Sequence, residues 1–276
     1  MKREPCGKSG KTRLGVVRFL NSRPLIEGLD GRPDLALHFA VPSALANMLK
    51  AGQVDAALVP VIDLARAGSE WEQVSDAGIA CDGETLTVRV LSRVPPEKMT
   101  RLYLDTDSHT SVVLAQLIWR HWYRRPVDVQ PLAEVGSIEQ CESVLVIGDK
   151  VVTIPTSDFT HTIDLGSVWK QWTGLPFVFA VWAAPAGLPG NAELGELLSR
   201  ARDLGVSRAA DLAERHGPPR GWPIDLALRY MTSYLKYTIT PAAHAGMTRF
   251  IALAEAGGFI SRADFGERSR VEKVPT

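Results

Sequence analysis

The stretch LGVVRFLNSRPL, residues 14–25, decides the fold that this sequence predicts. Its first seven residues are apolar apart from Arg18, which predicts a buried strand that stops at the polar Asn21. Asn21 or Ser22 then suits the N-cap of a helix, and Pro24 suits its first turn, where a missing N–H costs nothing. Such a junction can hold an anion or a polarised oxygen beyond the strand. An ordinary capped helix in an α/β domain explains the same residues more simply.

The composition is that of a globular protein without net charge. The 276 residues suffice for two modest domains or one large one, and 45% of them are apolar. Lysine plus arginine equals aspartate plus glutamate, with 31 of each, so no overall field attracts nucleic acid or an anionic membrane. The sequence therefore predicts neither of those partners, and it leaves the oligomeric state open.

A cytoplasmic location is expected from the cysteines and the apolar runs. Cys6, Cys81 and Cys141 lie far apart without a CxxC pair, which argues against a disulfide framework or a zinc site. Residues 1–13 lack the apolar core of a signal peptide, and the apolar run at 175–184 is too short to span a bilayer.

Strand and helix signals alternate along the first two thirds of the chain, and the last third shows helix signals only. We therefore expect an α/β protein with two lobes, two crossover strands at residues 85–91 and 177–182, and a helical C-terminal segment that includes a helix over 222–237. The predicted division is 1–91 plus 178–276 for lobe I and 92–177 for lobe II, with a ligand cleft between them.

Four polar loops follow predicted strands, at residues 21–24, 60–61, 108–111 and 148–149. Ligands of open α/β sheets bind beyond the carboxyl ends of strands, so these loops are candidates for one binding site. Three hydroxyls at 108–111 open a helix and suit a carboxylate, although an ordinary Ser N-cap fits equally well. Arg18 either faces the cleft or extends to solvent at the sheet edge. The six histidines lack metal-ligand spacing, so no metal site is predicted.

Six segments together carry a resemblance to a known family: FLNSRPL (19–25), DAALVPV (55–61), CDGETLTV (81–88), SHTSVVLAQL (108–117), VLVIGD (144–149) and DLGSVWKQWTGLPFVFAVW (164–182). They resemble the menaquinone-biosynthesis protein family of the futalosine pathway, specifically its chorismate dehydratases. The match covers most of residues 14–182 and, weakly, the helical tail.

The resemblance implies a periplasmic-binding-protein-like type II fold and cofactor-free loss of water from chorismate to give 3-[(1-carboxyvinyl)oxy]benzoate. It implies that Asn21 contacts the reacting end of the substrate and that Thr87 supplies a hydroxyl where the family usually has Ser. Thr110 and Ser111 would bind a carboxylate, and a carboxylate of the substrate would act as the base. The candidate residues are Asn21 and Thr87 for catalysis and Arg18, Pro60, Ser108, His109, Thr110, Ser111, Gly148 and Asp149 for substrate binding.

Departures from the family pattern leave other interpretations open. His109 stands where the family usually has Arg, so Arg18 or a protonated His109 would have to compensate in binding a carboxylate. A relative with another substrate is one alternative. A non-catalytic solute-binding or sensor protein for a small carboxylate is another.

Overall fold

The computed structural model describes residues 10–260, so Cys6 and the outer ends of predicted lobe I lie outside the described residues. Its strands are β1 (Thr12–Val17), β2 (Leu35–Ala40), β3 (Ala56–Pro60), β4 (Trp71–Cys81), β5 (Val88–Ser92), β6 (Arg101–Leu104), β7 (Asp128–Pro131), β8 (Ser143–Ile147), β9 (His161–Asp164), β10 (Phe177–Pro185) and β11 (Leu235–Thr238). Its α-helices are α1 (Pro42–Lys50), α2 (Val61–Ala67), α3 (His109–His121), α4 (Lys150–Thr153), α5 (Leu165–Thr173), α6 (Asn191–Ser207), α7 (Ala209–His216), α8 (Ile224–Arg229) and α9 (Pro241–Ala256). None of these helices has the length and apolar character needed to cross a bilayer.

The strands form two mixed sheets, which confirms the α/β class. The first has the order β11-β4-β10-β3-β1-β2, and the second has the order β7-β6-β8-β5-β9. In the first sheet β1 pairs in parallel with β2 and β3, whereas β10 runs antiparallel between β3 and β4. The first eight residues of β10 are buried, as predicted for an apolar strand covered on both faces.

The chain changes sheets earlier than the predicted boundary at residue 91. Val88–Ser92 pairs with β8 and β9, so this strand belongs to the second sheet although it was expected in lobe I. The change of sheet therefore falls between Cys81 and Val88, and the return falls between Asp164 and Phe177, through α5. The short apolar run at 88–92 cannot reveal from sequence which sheet it joins, because either sheet would bury it.

The predicted helix over 222–237 is wrong in its second half. Helix α8 ends at Arg229, a π-helix follows at Tyr230–Tyr234, and Leu235–Thr238 is an edge strand beside β4. Leu235 and Tyr237 are buried while the residues between and after them are exposed, which is the alternation of a strand with one covered face.

A single carboxylate joins the two connections between the sheets. Asp164 caps α5 by accepting from the Ser167 N–H at 3.1 Å, and it also accepts from the N–H groups of Thr85 at 3.0 Å and Leu86 at 2.8 Å. Leu86 has a φ of +68°, and the Thr87 N–H donates to the Thr85 carbonyl at 2.8 Å, so the connection makes a γ-turn that is strained for leucine. Asp164 thereby stabilises the turn that precedes Thr87.

Gly166 lets the first turn of α5 lie directly against that connection. A Cβ at this position would lie 2.4 Å from the Gly83 carbonyl oxygen and 2.7 Å from the Cys81 Sγ. No real Cβ contact is that short, so any other residue would push the helix away from the turn.

We expect Gly166→Ala to destabilise the protein by about 1–3 kcal/mol in urea unfolding, because overpacking outweighs the gain in helix propensity. Ser167→Ala is the matched control, since it lies one position further along the same helical turn and its side chain makes no hydrogen bond in the described structure. The control should be neutral or slightly stabilising. A stabilising Gly166→Ala would contradict the close packing.

Candidate functional site

A small cavity lies between the two sheets and takes residues from both. Val17 and Phe179 line it from the first sheet, and Val88 and Ile147 line it from the second. Its volume is about 40 Å³. That is room for a few water molecules, whereas ligand clefts usually measure about 300–1,000 Å³.

Five of the ten predicted site residues line this cavity, namely Asn21, Thr87, Ser108, Ser111 and Gly148. They come from three of the four polar loops and from the connection between the sheets, so segments far apart in sequence meet at one place. Their roles stay predictions.

Asn21 is the second residue of a 3-10 helix, Leu20–Leu25, whose N-cap is Phe19 rather than Asn21 or Ser22 as the sequence predicts. Ser22 does not cap this helix, because its hydroxyl donates back to the carbonyls of Val17 and Phe19. The Asn21 Oδ1 is buried and has no hydrogen-bond partner among the described residues. A buried unpaired acceptor costs about 1–3 kcal/mol, a cost that a donor on a ligand would remove.

Thr87 makes its side-chain contact with a residue that the sequence did not indicate. Its Oγ1 lies 2.7 Å from the hydroxyl of Tyr230, which is 1% exposed and also lines the cavity. The Tyr230 ring stacks on Trp222, with 4.7 Å between the ring centroids and 22° between the planes. Burial raises the pKa of Tyr230 well above its usual value, so the phenol is neutral at physiological pH.

The loop after β8 supports Thr87 through its backbone. The Gly148 N–H donates to the Thr87 carbonyl at 2.9 Å. Gly148 has a φ of +69°, and a Cβ there would lie 2.8 Å from the Phe19 ring, which forms a wall of the cavity. Both facts require glycine at this position.

Ser108 and Ser111 place hydroxyls at the start of α3, a helix of 13 residues. The Ser108 Oγ accepts from the Ser111 N–H at 3.4 Å and lies 3.0 Å from the Ser111 Oγ. First-turn N–H groups of a helix have no intrahelical partner, so this end of the cavity carries partial positive charge.

His109 and Thr110 do not line the cavity, because their side chains contact α2. The His109 Nδ1 lies 2.8 Å from the Asp63 Oδ2, and the Thr110 Oγ1 accepts from the Ile62 N–H at 3.3 Å. Pro60, the last residue of β3, is buried directly before α2 and is also absent from the lining. The contacts of His109 and Thr110 with α2 join the two lobes in the described structure.

Asp149 occupies the anion position that the sequence assigned to a ligand. Its carboxylate accepts from the Leu20 N–H, the first of the 3-10 helix, at 3.1 Å and from the Trp222 Nε1 at 3.1 Å. Burial raises the pKa of Asp149, and these two hydrogen bonds oppose the rise. The helix start therefore binds an anion, but that anion belongs to the protein. Arg18 is exposed, with its guanidinium carbon 5.8 Å from the Phe19 ring centroid.

The lining described here contains no Asp, Glu, His, Lys or Arg side chain. Its polar groups are the Asn21 amide, four Ser and Thr hydroxyls, the Tyr230 phenol and backbone N–H groups. The site can therefore orient a ligand and donate or accept hydrogen bonds, but its own side chains offer no strong base.

Two mixed β-sheets joined by two connections, with a cavity between them, define the class of two-lobed binding-protein folds. Protein AF1704 from Archaeoglobus fulgidus superposes with a TM-score of 0.70 at 16% identity, over 92% of this chain and all of that one. The periplasmic aliphatic sulphonate binding protein SsuA from Escherichia coli gives a TM-score of 0.62 at 15% identity, over 97% and 93% of the two chains. The chain thus has a periplasmic-binding-protein-like fold, as expected.

Sequence comparison identifies the family within that class. The sequence model of the menaquinone biosynthesis family matches residues 12–256, and the chain belongs to this family. A chorismate dehydratase from Thermus thermophilus is 28% identical over 261 residues, which span 89% of this chain and 94% of that protein. A chorismate dehydratase from Campylobacter jejuni is 24% identical over 238 residues, which span 86% and 91% of the two chains.

We expect Asp149→Ala to lower the free energy of unfolding by about 2 kcal/mol or more, because it leaves the Leu20 N–H and the Trp222 Nε1 without their acceptor. Asp158→Ala is the control, since this carboxylate is 62% exposed and lies 3.9 Å from Arg93. Urea unfolding compares the two variants. Equal stability of both variants would show instead that Asp149 is free to serve a ligand.

Proposed function

We propose that this protein is a chorismate dehydratase that converts chorismate to 3-[(1-carboxyvinyl)oxy]benzoate, the first step of the futalosine route to menaquinone. The observation that carries the proposal is the meeting of Asn21 and Thr87 with Ser108 and Ser111 around one cavity. Membership of the menaquinone biosynthesis family and the two dehydratase relatives, which match over most of their length, support the same reaction.

The reaction needs little from the protein beyond orientation and hydrogen bonds. A proton leaves the ring carbon next to the one that bears the hydroxyl, the carbon–oxygen bond of that hydroxyl breaks, and one molecule of water is released. The ring becomes aromatic, which makes the elimination favourable without an electron donor or acceptor. The protein must hold two carboxylates, stabilise the departing oxygen and provide access to a base.

Asn21 and Thr87 suit the reacting end of the substrate. The unpaired Oδ1 of Asn21 can accept a hydrogen bond from the ligand, and the Thr87 hydroxyl can donate one to the departing oxygen. In a buried cavity each such bond counts for more than it does in water.

Ser108 and Ser111, with the first turn of α3, suit a carboxylate of chorismate. They would bind it through hydroxyls and the helix dipole instead of through a side-chain cation. His109, at the position where the family usually has Arg, interacts with Asp63 in the described structure and would have to turn to reach the ligand.

The base would come from the substrate, as the family resemblance implies. The neutral lining agrees with this assignment, because a carboxylate of chorismate would be the strongest base in the closed cavity. A nearby enzyme carboxylate would also repel the dianionic substrate.

Chorismate can enter only if the two lobes separate, since the cavity measures about 40 Å³. The interactions of Asp149 with Leu20, of His109 with Asp63 and of Thr110 with Ile62 hold the lobes together in the described structure.

We also propose that the protein is cytoplasmic. The free, buried Cys81 and Cys141 suit a reducing compartment.

Purified protein incubated with chorismate is expected to release 3-[(1-carboxyvinyl)oxy]benzoate, which mass spectrometry detects as a loss of water. Failure to form this product at micromolar enzyme would refute the proposal. Thermal stabilisation by chorismate that stays intact would favour the solute-binding or sensor alternative.

Asn21→Ala should lower kcat by about 100-fold or more while the protein stays folded, because it removes a preorganised hydrogen-bonding group at the reacting centre. Asn47→Ala is the matched control, since Asn47 is an exposed asparagine in α1. Steady-state kinetics and circular dichroism compare the two variants. Near-normal turnover by Asn21→Ala would remove Asn21 from the mechanism.

A further inference from the structure

We propose that Tyr230 is a positioning residue that donates its phenol hydrogen to Thr87 and so directs the Thr87 hydroxyl hydrogen toward the substrate. This inference rests on the proposed dehydration of chorismate and extends it to a residue in the C-terminal part of the chain. Tyr230 begins the π-helix that interrupts the predicted helix, and such irregular turns occur often at functional sites.

The position of the Tyr230 hydroxyl is tightly determined. The side chain is 1% exposed and its ring stacks on Trp222. The Trp222 Nε1 in turn donates to Asp149, whose carboxylate also binds the Leu20 N–H. The phenol oxygen is thereby held 2.7 Å from the Thr87 Oγ1.

The donor and acceptor roles in this contact follow from the neighbouring Asn21. The Asn21 Oδ1 has no hydrogen-bond partner among the described residues, so it does not accept the phenol hydrogen. Thr87 is then the acceptor for the single hydrogen of Tyr230.

A threonine that accepts from Tyr230 keeps its own hydrogen for another partner. Thr87 lines the cavity, so that hydrogen is available to the departing oxygen of the substrate. Hydrogen bonds that share a group strengthen one another, so donation from Tyr230 to Thr87 reinforces the bond that Thr87 makes to the substrate. Without the Tyr230 hydroxyl, Thr87 would lose the hydrogen bond that fixes its side-chain rotamer, and its own hydroxyl hydrogen could point away from the substrate.

Tyr230→Phe tests the inference because it removes the hydroxyl and keeps the ring that stacks on Trp222. We expect kcat for chorismate to fall about 10- to 100-fold, with KM within about twofold of the wild-type value. Tyr237→Phe is the matched control. Tyr237 is also buried, its hydroxyl has no hydrogen-bond partner in the described structure, and it does not line the cavity. The control should keep the wild-type kcat.

The Thr87→Val background separates positioning from a general structural role. If Tyr230 acts through Thr87, adding Tyr230→Phe to Thr87→Val should lower kcat by less than about twofold further. A full additional loss in the double variant, or wild-type kcat in Tyr230→Phe alone, would overturn the inference.

A second readout keeps this test separate from that of the proposed function. If the wild-type protein forms no product from chorismate, the proposed function fails. The urea unfolding midpoints of the same variants then test whether the Thr87 and Tyr230 hydroxyls are coupled. Coupled hydroxyls predict that Thr87→Val and Tyr230→Phe together shift the midpoint by less than the sum of the single shifts. Additive shifts would overturn the assigned contact.

Discussion

The architecture of the site depends on the carboxylate of Asp164. It begins α5 and at the same time accepts from the Thr85 and Leu86 N–H groups, so one side chain binds both connections between the sheets. The Leu86 conformation is costly for leucine and persists because these hydrogen bonds compensate for it. Thr87 follows directly and is held further by Gly148. These contacts fix the position of the Thr87 backbone, and with it the hydroxyl that we propose for catalysis, although the residue lies on a loop.

The charges of the molecule are arranged around the cavity rather than in it. Asp149 satisfies the start of the 3-10 helix and Trp222, and Asp63 faces His109, so two carboxylates close to the site are bound by protein groups. The lining itself carries no charged side chain. The partial positive charges at the start of α3 therefore act in a medium of low polarity, where their attraction for an anion is stronger than in water. Such a site suits a substrate that brings both its own negative charge and its own base.

The sequence predicted the elements better than their assembly. The apolar run of β10 and the hydroxyl-rich start of α3 were recognisable, because burial and capping depend on neighbouring residues. The sheet that Val88–Ser92 joins and the partner of Asp149 depend on contacts with distant segments, which no local pattern encodes. Tyr230 was missed for the same reason. A tyrosine in an amphipathic stretch is typical of a core position, and only the π-helix brings its hydroxyl to Thr87.

The central claim is that this neutral cavity is where chorismate reacts, and a crystal structure with bound 3-[(1-carboxyvinyl)oxy]benzoate tests it most directly. We predict a carboxylate of the product at Ser108 and Ser111, the ring carbon that lost its hydroxyl beside Asn21 and Thr87, and Asp149 still bound to Trp222. A product bound outside the cavity would contradict the account. So would a product carboxylate paired with Arg220, whose Nε lies 3.8 Å from the Asp149 Oδ2, instead of with α3.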